Sequence, residues 1–138
     1  MVEAVTGAVV VTGATGGIGF ATSCALRARG LRVYGAFLPG EDITQLEAAG
    51  VLPVPLDVTD PRSAEAARDE IAEALHGIPL VGLVNNAGIA DGGPIELLDL
   101  DSVRRQPGVC VCCRHQRVGL RPRGGEGSAS AALLRQEA

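Results

Sequence analysis

The chain has 138 residues, of which 46% are hydrophobic and 2% aromatic, and its formal net charge at pH 7 is −4. This acidic balance argues against nucleic acid or an anionic membrane surface as a partner, because both bind clustered positive charge. No apolar run approaches the roughly 20 residues that span a bilayer, and Glu3 stands where a secretory signal carries basic residues. We therefore expect a single cytoplasmic domain without a membrane span.

Strand and helix patterns alternate along most of the chain. Runs rich in Val, Leu and Ile predict strands, and the segments between them carry helical spacing and capping residues. Two prolines, Pro53 and Pro55, place the third strand at a sheet edge, since proline donates no ladder hydrogen bond. The alternation predicts an α/β fold of the Rossmann type, with a parallel sheet and helices on both faces. In chain order we predict a strand at 5–12, a helix at 18–29, a strand at 31–38, a short helix at about 42–50, a strand at 51–56, a helix from Pro61 to Gly77 and a strand at 80–84.

Closely spaced glycines join the first predicted strand to the first helix. Residues 12–19 read Thr-Gly-Ala-Thr-Gly-Gly-Ile-Gly. Gly13 permits a tight turn, Gly17 lets backbone N–H groups approach a diphosphate, and Gly19 lets the helix pack closely against the strand. The positive end of the helix then faces the diphosphate. The segment therefore predicts a dinucleotide site rather than an ordinary loop between a strand and a helix.

A second motif follows the fourth predicted strand, where residues 85–88 read Asn-Asn-Ala-Gly. Thr-Gly-x-x-x-Gly-x-Gly followed by Asn-Asn-Ala-Gly resembles the short-chain dehydrogenase/reductase family, from residue 5 to about 105. The resemblance implies the strand order 3-2-1-4 and hydride transfer between a nicotinamide cofactor and an alcohol or carbonyl substrate. It implies cofactor contacts at the matching positions, which are Gly13, Thr15, Gly16, Gly17, Ile18, Asp57, Val58, Asn85, Ala87 and Gly88.

One of those positions, Asp57, has an alternative role. The resemblance gives Asp57 the role of accepting a hydrogen bond from the adenine amino group. A simple cap at the end of the third strand is the competing interpretation. Asn86, in the second motif, is expected to be structural instead of binding the cofactor.

The choice between NAD and NADP depends on the end of the second strand. An acidic residue there binds the ribose 2′-hydroxyl, and an arginine accommodates a 2′-phosphate. The sequence has Ala36-Phe37-Leu38 there, and Arg32 begins the strand at its opposite end. Segment 32–38 is similar to the subgroup of retinol and 3-hydroxybutyrate dehydrogenases, which favours NAD.

The chain contains no lysine, since all 12 of its Lys and Arg residues are arginine. The family uses a tyrosine and a lysine four residues later for proton transfer, with a serine that orients the substrate. Tyr34 is the one tyrosine, and Leu38 stands four residues after it. We therefore assign no catalytic residue and expect no activity from this chain alone. A dinucleotide-binding or interaction fragment that needs a partner is the alternative, whereas a P-loop NTPase is excluded because it requires a lysine.

The composition changes after residue 105, so we predict a Rossmann half-domain at 1–105 and an irregular or disordered tail at 106–138. The tail is rich in Arg, Gly, Pro and Cys, as a GC-rich gene read in another frame would be, and we hypothesise that it is not the family's native continuation. Its cluster of Cys110, Cys112, Cys113 and His115 lacks the Cys-x-x-Cys pairs of structural zinc sites, so we predict no metal. With no fifth strand in view, we also expect an exposed edge on the fourth strand and self-association through it.

Overall fold

The computed structural model describes residues 6–90 and 94–106. Its sheet has four parallel strands in the order β3-β2-β1-β4, which confirms the predicted fold class and strand order. Helical residues at 100–106 end the described part of the chain. The elements are β1 (Ala8–Thr12), α1 (Gly17–Ala28), β2 (Arg32–Phe37), α2 (Thr44–Ala48), β3 (Leu52–Pro55), α3 (Pro61–Leu75), β4 (Leu80–Val84) and a 3-10 helix (Ile95–Leu97).

The central strand β1 is buried along its whole length, as expected for a strand covered by helices on both faces. Successive side chains point to opposite faces, so β1 contributes to two separate hydrophobic cores. Val10 packs on one face with the buried residues of α3, including Ile71. Val9 and Val11 pack on the other face with Leu46 of α2. This arrangement holds the carboxyl ends of β1, β2 and β4 together on one edge of the sheet.

Helix α3 begins and ends as its sequence predicts. The Asp60 carboxylate accepts the N–H of Arg62 at 3.0 Å, and Pro61 occupies the first helical position. At the other end His76 takes a left-handed conformation (φ 45°) immediately before Gly77. Arg32 donates to the carbonyl of Ala74 at 3.1 Å, where a cation opposes the negative end of the helix dipole.

Strands β3 and β4 form the two edges of the four-stranded sheet. Strand β3 is an edge strand, as Pro53 and Pro55 predict. In the described part of the chain, β4 pairs only with β1, and Val81 is 41% exposed. Among the described residues no strand pairs with the outer edge of β4, and self-association through that edge stays a prediction.

Candidate functional site

The glycine turn after β1 is built by two positions that tolerate no side chain. Gly13 has a φ of +64°, and a Cβ added there would lie 2.9 Å from the Cα of Ala87. A Cβ at Gly19 would collide with the carbonyl oxygen of Gly13. These two glycines are therefore required by the packing of the turn itself, before any ligand is considered.

Thr12 and Asn86 join the glycine turn to the end of β4. The Thr12 hydroxyl oxygen accepts the backbone N–H groups of Asn86 and Ala87, both at 3.0 Å, and donates to the Val84 carbonyl at 3.4 Å. The Asn86 side-chain amide donates to the carbonyls of Thr12 and Gly13, both at 3.1 Å. Asn86 therefore has the structural contacts expected of it, and the two sequence motifs form one connected unit.

The N-terminus of α1 presents backbone donors beside this turn. The first residue to donate within the helix is Phe20, whose N–H bonds to the Gly16 carbonyl at 2.7 Å. The N–H groups of residues 17–19 consequently have no partner within the helix. Gly16 supplies no side-chain cap, and the first turn contains no acidic residue. An anion can therefore approach these donors and the positive end of the helix dipole.

Space is available at the position where such an anion would lie. A Cβ built on Gly17 would have no protein atom within 4 Å, in contrast to those built on Gly13 and Gly19. Ile18, the next residue, is 79% exposed although it is apolar. The backbone at Gly17 is thus open to a ligand, which would also cover the Ile18 side chain.

These features belong to one open cleft with a volume of about 300 Å³. Seven of the ten cofactor positions predicted from the sequence line it. Gly19, Glu41 and Asn86 also line it, although they were not among those ten. The seven are Gly13, Thr15, Gly16, Gly17, Ile18, Ala87 and Gly88.

Asp57, Val58 and Asn85, the remaining predicted positions, lie outside the lining of this cleft. One carboxylate oxygen of Asp57 accepts the N–H of Thr59 at 2.9 Å and its hydroxyl at 2.6 Å. These are the contacts of a strand-end cap, and they use only the Oδ1 atom. Val58 is buried in the core beneath α3, and Asn85 is exposed after the end of β4.

Glu41 is the residue that sequence reasoning missed. Its Oε2 atom accepts the Thr15 hydroxyl at 2.6 Å and the Leu38 N–H at 3.0 Å. The signal in the sequence is the Pro39-Gly40 turn, at which Gly40 has a φ of +100° and redirects the loop after β2. Glu41 follows this turn, three residues beyond Leu38 at the end of the predicted second strand.

The neighbouring acid, Asp42, has a different environment. Its Oδ1 atom accepts the Thr44 hydroxyl at 2.6 Å and the Thr44 N–H at 2.9 Å. These two hydrogen bonds, the hydroxyl's first, hold the pKa of Asp42 below its ordinary value of 3.8. Glu41 and Asp42 are consecutive in the chain, but of these two acids only Glu41 lines the cleft.

The one tyrosine of the chain does not line the cleft. Tyr34 is 2% exposed within the core on the α3 face, and its hydroxyl has no hydrogen-bond partner among the described residues. The described residues contain no group of three His, Cys, Asp or Glu side chains placed to hold a metal. The cluster of Cys110, Cys112, Cys113 and His115 lies outside the described residues, as does most of the predicted tail. Among residues 6–90 and 94–106, no helix is long and apolar enough to cross a membrane.

Curated relatives resemble this chain over its N-terminal part. The uncharacterized oxidoreductase YbbO of Escherichia coli strain K12 is 30% identical over 98 residues, which are 71% of this chain and 36% of the relative. Human retinol dehydrogenase 5 is 34% identical over 101 residues, which are 70% of this chain and 32% of the relative. The chain thus spans about a third of the length of these relatives.

A solved structure has the same fold over the described region. NADPH-bound carbonyl reductase from chicken fatty liver superposes with a TM-score of 0.67 at 28% identity, covering 78% of this chain and 47% of that one. The family model for short chain dehydrogenases matches residues 7–109, which include both the glycine turn and the Asn-Asn-Ala-Gly motif. The chain therefore belongs to the short-chain dehydrogenase family.

Proposed function

We propose that this chain provides the dinucleotide-binding part of an NAD(P)-dependent oxidoreductase that acts on an alcohol or carbonyl substrate. The observation that carries the proposal is the open backbone at Gly17, where the unpartnered N–H groups of α1 meet the cleft. Gly13, Gly16 and Gly17 would surround the diphosphate, with Thr15 and Ile18 at its sides. Residues 1–105 make up the unit to which we assign this role.

The other predicted positions would extend the site along the carboxyl edge of the sheet. Asp57 would accept a hydrogen bond from the adenine amino group through its Oδ2 atom. The bonds to Thr59 use only Oδ1, so Oδ2 is available. Val58 would lie beside the adenine. Asn85, Ala87 and Gly88 would line the part of the cleft nearest the nicotinamide. The bound cofactor would supply the hydride chemistry, whereas these residues bind and orient it.

We further propose that these 138 residues do not turn over substrate alone. Proton transfer in the family needs the tyrosine and lysine pair, and the sequence contains no lysine. Tyr34 cannot substitute for that tyrosine because its side chain is enclosed in the core. These residues would thus act as a cofactor-binding half-site, and the catalytic residues would have to come from outside them.

Isothermal titration of the purified 138-residue protein with ADP-ribose and with NAD tests the half-site. We expect similar affinities for the two ligands, because no lysine is present to hold the nicotinamide ribose. Much tighter binding of NAD would contradict the half-site, and no binding of either ligand would contradict the proposed function.

A pair of glycine substitutions tests the position of the diphosphate. Gly17→Ala adds a methyl group that meets no protein atom within 4 Å, so we expect intact folding and a loss of affinity of at least about tenfold, or 1.4 kcal/mol. Gly82→Ala in β4 is the matched control, because its added Cβ lies at an ordinary 3.6 Å from Val9 and away from the cleft. Unchanged ADP-ribose affinity in Gly17→Ala would contradict the proposed contact.

A second candidate function is an interaction module without a catalytic role of its own. The half-exposed β4 edge favours it, since uncovered strand edges pair with other chains. NAD turnover upon adding a full-length family member whose own cofactor site has been inactivated would support the half-site, and association without turnover would support this alternative.

A further inference from the structure

The backbone of Asp57 is fixed on both sides of the residue. Asp57 follows β3 and lies between Leu56 and Val58, which are each only 6% exposed. The Leu56 N–H continues the pairing with β2, because it donates to the Phe37 carbonyl at 2.8 Å. The Asp57 carbonyl accepts the N–H of Asp60, the residue that caps α3, at 3.1 Å. The chain therefore enters and leaves Asp57 through anchored residues.

Two hydroxyl groups hold the rest of Asp57. The Ser63 hydroxyl, in the first turn of α3, accepts the Asp57 N–H at 2.9 Å. The Thr59 hydroxyl donates to Oδ1 of Asp57 at 2.6 Å, and the Thr59 N–H donates to the same atom at 2.9 Å. In the described part of the chain, Oδ2 is thus the one hydrogen-bonding atom of Asp57 that these contacts leave available.

Asp42 provides a comparison within the same chain. Its Oδ1 atom accepts the Thr44 hydroxyl at 2.6 Å and the Thr44 N–H at 2.9 Å, which are the same two bonds at the same lengths. Of these two aspartates among the described residues, only Asp57 also donates its own N–H to a hydroxyl group of the following helix. The contacts to threonine are those of a local turn. The Ser63 contact goes beyond such a turn and ties the acceptor to α3.

The place of Asp57 in the sheet suits the base of a dinucleotide whose diphosphate lies at the glycine turn. The strand order is β3-β2-β1, and neighbouring strands are about 4.8 Å apart, so the ends of β3 and β1 are roughly 10 Å apart. An adenosine bridges such a separation. Asp57 can therefore meet the base although it lies outside the lining of the cleft at the glycine turn.

We propose that Ser63 and Thr59 are positioning residues that fix Asp57 with one outward acceptor, so that the site binds adenine and rejects hypoxanthine. Adenine carries an amino group on carbon 6, which donates to Oδ2, whereas hypoxanthine carries an oxygen there, which cannot donate. A site built around such a hydrogen bond discriminates strongly, because the wrong base leaves polar groups unpaired. The inference rests on the proposed function, since it concerns the base of the same dinucleotide.

Titration with ADP-ribose and with IDP-ribose, its hypoxanthine analogue, measures this preference. The wild-type protein should bind ADP-ribose at least about tenfold more tightly. Ser63→Ala and Thr59→Val each remove one hydroxyl group that holds Asp57, so each should lower this ratio at least about threefold. A merely structural role would weaken the binding of both ligands equally and leave the ratio unchanged. Thr59→Ser keeps the hydroxyl and should keep the wild-type ratio.

Asp57→Asn tests the orientation of the side chain directly. The Thr59 N–H requires an oxygen at the Oδ1 position, so the amide nitrogen should take the place of Oδ2 and present a donor. The preference should then invert, because the hypoxanthine oxygen accepts from that nitrogen and the adenine amino group does not. An Asp57→Asn protein that still prefers ADP-ribose would refute the orientation by Thr59.

Thr44→Val is the matched control, because it removes the same hydroxyl bond from Asp42, and the ratio should stay at the wild-type value. Thermal unfolding of each variant verifies that the proteins compared are folded, and Asp57→Asn keeps the test decisive if Ser63→Ala does not fold. If neither ligand binds the wild-type protein, the proposed function is wrong and this inference falls with it. If both ligands bind equally, or if Ser63→Ala or Thr59→Val changes the ratio no more than Thr44→Val does, the dinucleotide site stands and the positioning role is wrong.

Discussion

Replacing Thr12 by valine removes one hydroxyl group and leaves the shape of the side chain almost unchanged. Thr12 is 1% exposed, and its hydroxyl oxygen is the shared acceptor for the N–H groups of Asn86 and Ala87. The substitution therefore tests whether the link between the glycine turn and the end of β4 stabilises the fold.

The lengths of the hydrogen bonds that Thr12 makes determine how much stability the substitution should remove. Two hydrogen bonds at 3.0 Å are well formed, and each contributes about 1 kcal/mol to stability. The bond to the Val84 carbonyl, at 3.4 Å, is long and adds little. Thr12→Val should thus lower the free energy of unfolding by about 2–3 kcal/mol, a large share of the roughly 5–15 kcal/mol of a typical domain.

Urea denaturation followed by far-UV circular dichroism measures this loss. Thr12→Ser is the control, because it keeps the hydroxyl and loses only a methyl group, at a cost of about 0.8 kcal/mol. Thr12→Val should therefore be clearly less stable than Thr12→Ser. Equal stabilities for the two variants, or a more stable valine variant, would refute the structural role of the hydroxyl.

Three further predictions concern sites away from this link. Tyr34→Phe removes a buried hydroxyl that has no partner among the described residues, so it should raise the free energy of unfolding by about 1 kcal/mol or more in the same urea assay; a loss of stability would reveal a partner for the hydroxyl. Thr44→Val should raise the pKa of Asp42 toward 3.8 in an NMR titration, because it removes the larger cause of the lowered value. Since that folded-state pKa is depressed, the contribution of Asp42 to stability is present above pH 3.8 and is lost as the pH falls through the lowered pKa; a titration curve unchanged by Thr44→Val would contradict this cause. Val81→Lys adds a charge next to the exposed edge of β4, so it should reduce self-association, as measured by light scattering after size exclusion. A wild-type protein that is monomeric at all concentrations would show the expected association to be wrong.

Much of the fold could be predicted from the sequence because the deciding interactions are local. The β-branched run of β1 requires burial on both faces, and the Asp60-Pro61 pair caps and starts α3 within a few residues. The positive φ of Gly13 likewise belongs to one residue and its immediate turn. The parallel sheet and the place of the proposed dinucleotide site follow from these local patterns and from the order of the two motifs.

The contacts that complete the candidate site depend on residues far apart in the chain, and only the tertiary structure decided them. Thr12 reaches Asn86 because β1 and β4 are neighbours in the sheet, and Thr15 meets Glu41 because the turn through Gly40 carries the loop after β2 back toward α1. Sequence periodicity and spacing do not predict such contacts, because each contact depends on the strand order or on the path of a loop. The sequence by itself therefore determined the elements, their order and the glycine turn, whereas the tertiary structure decided which charge lies beside that turn.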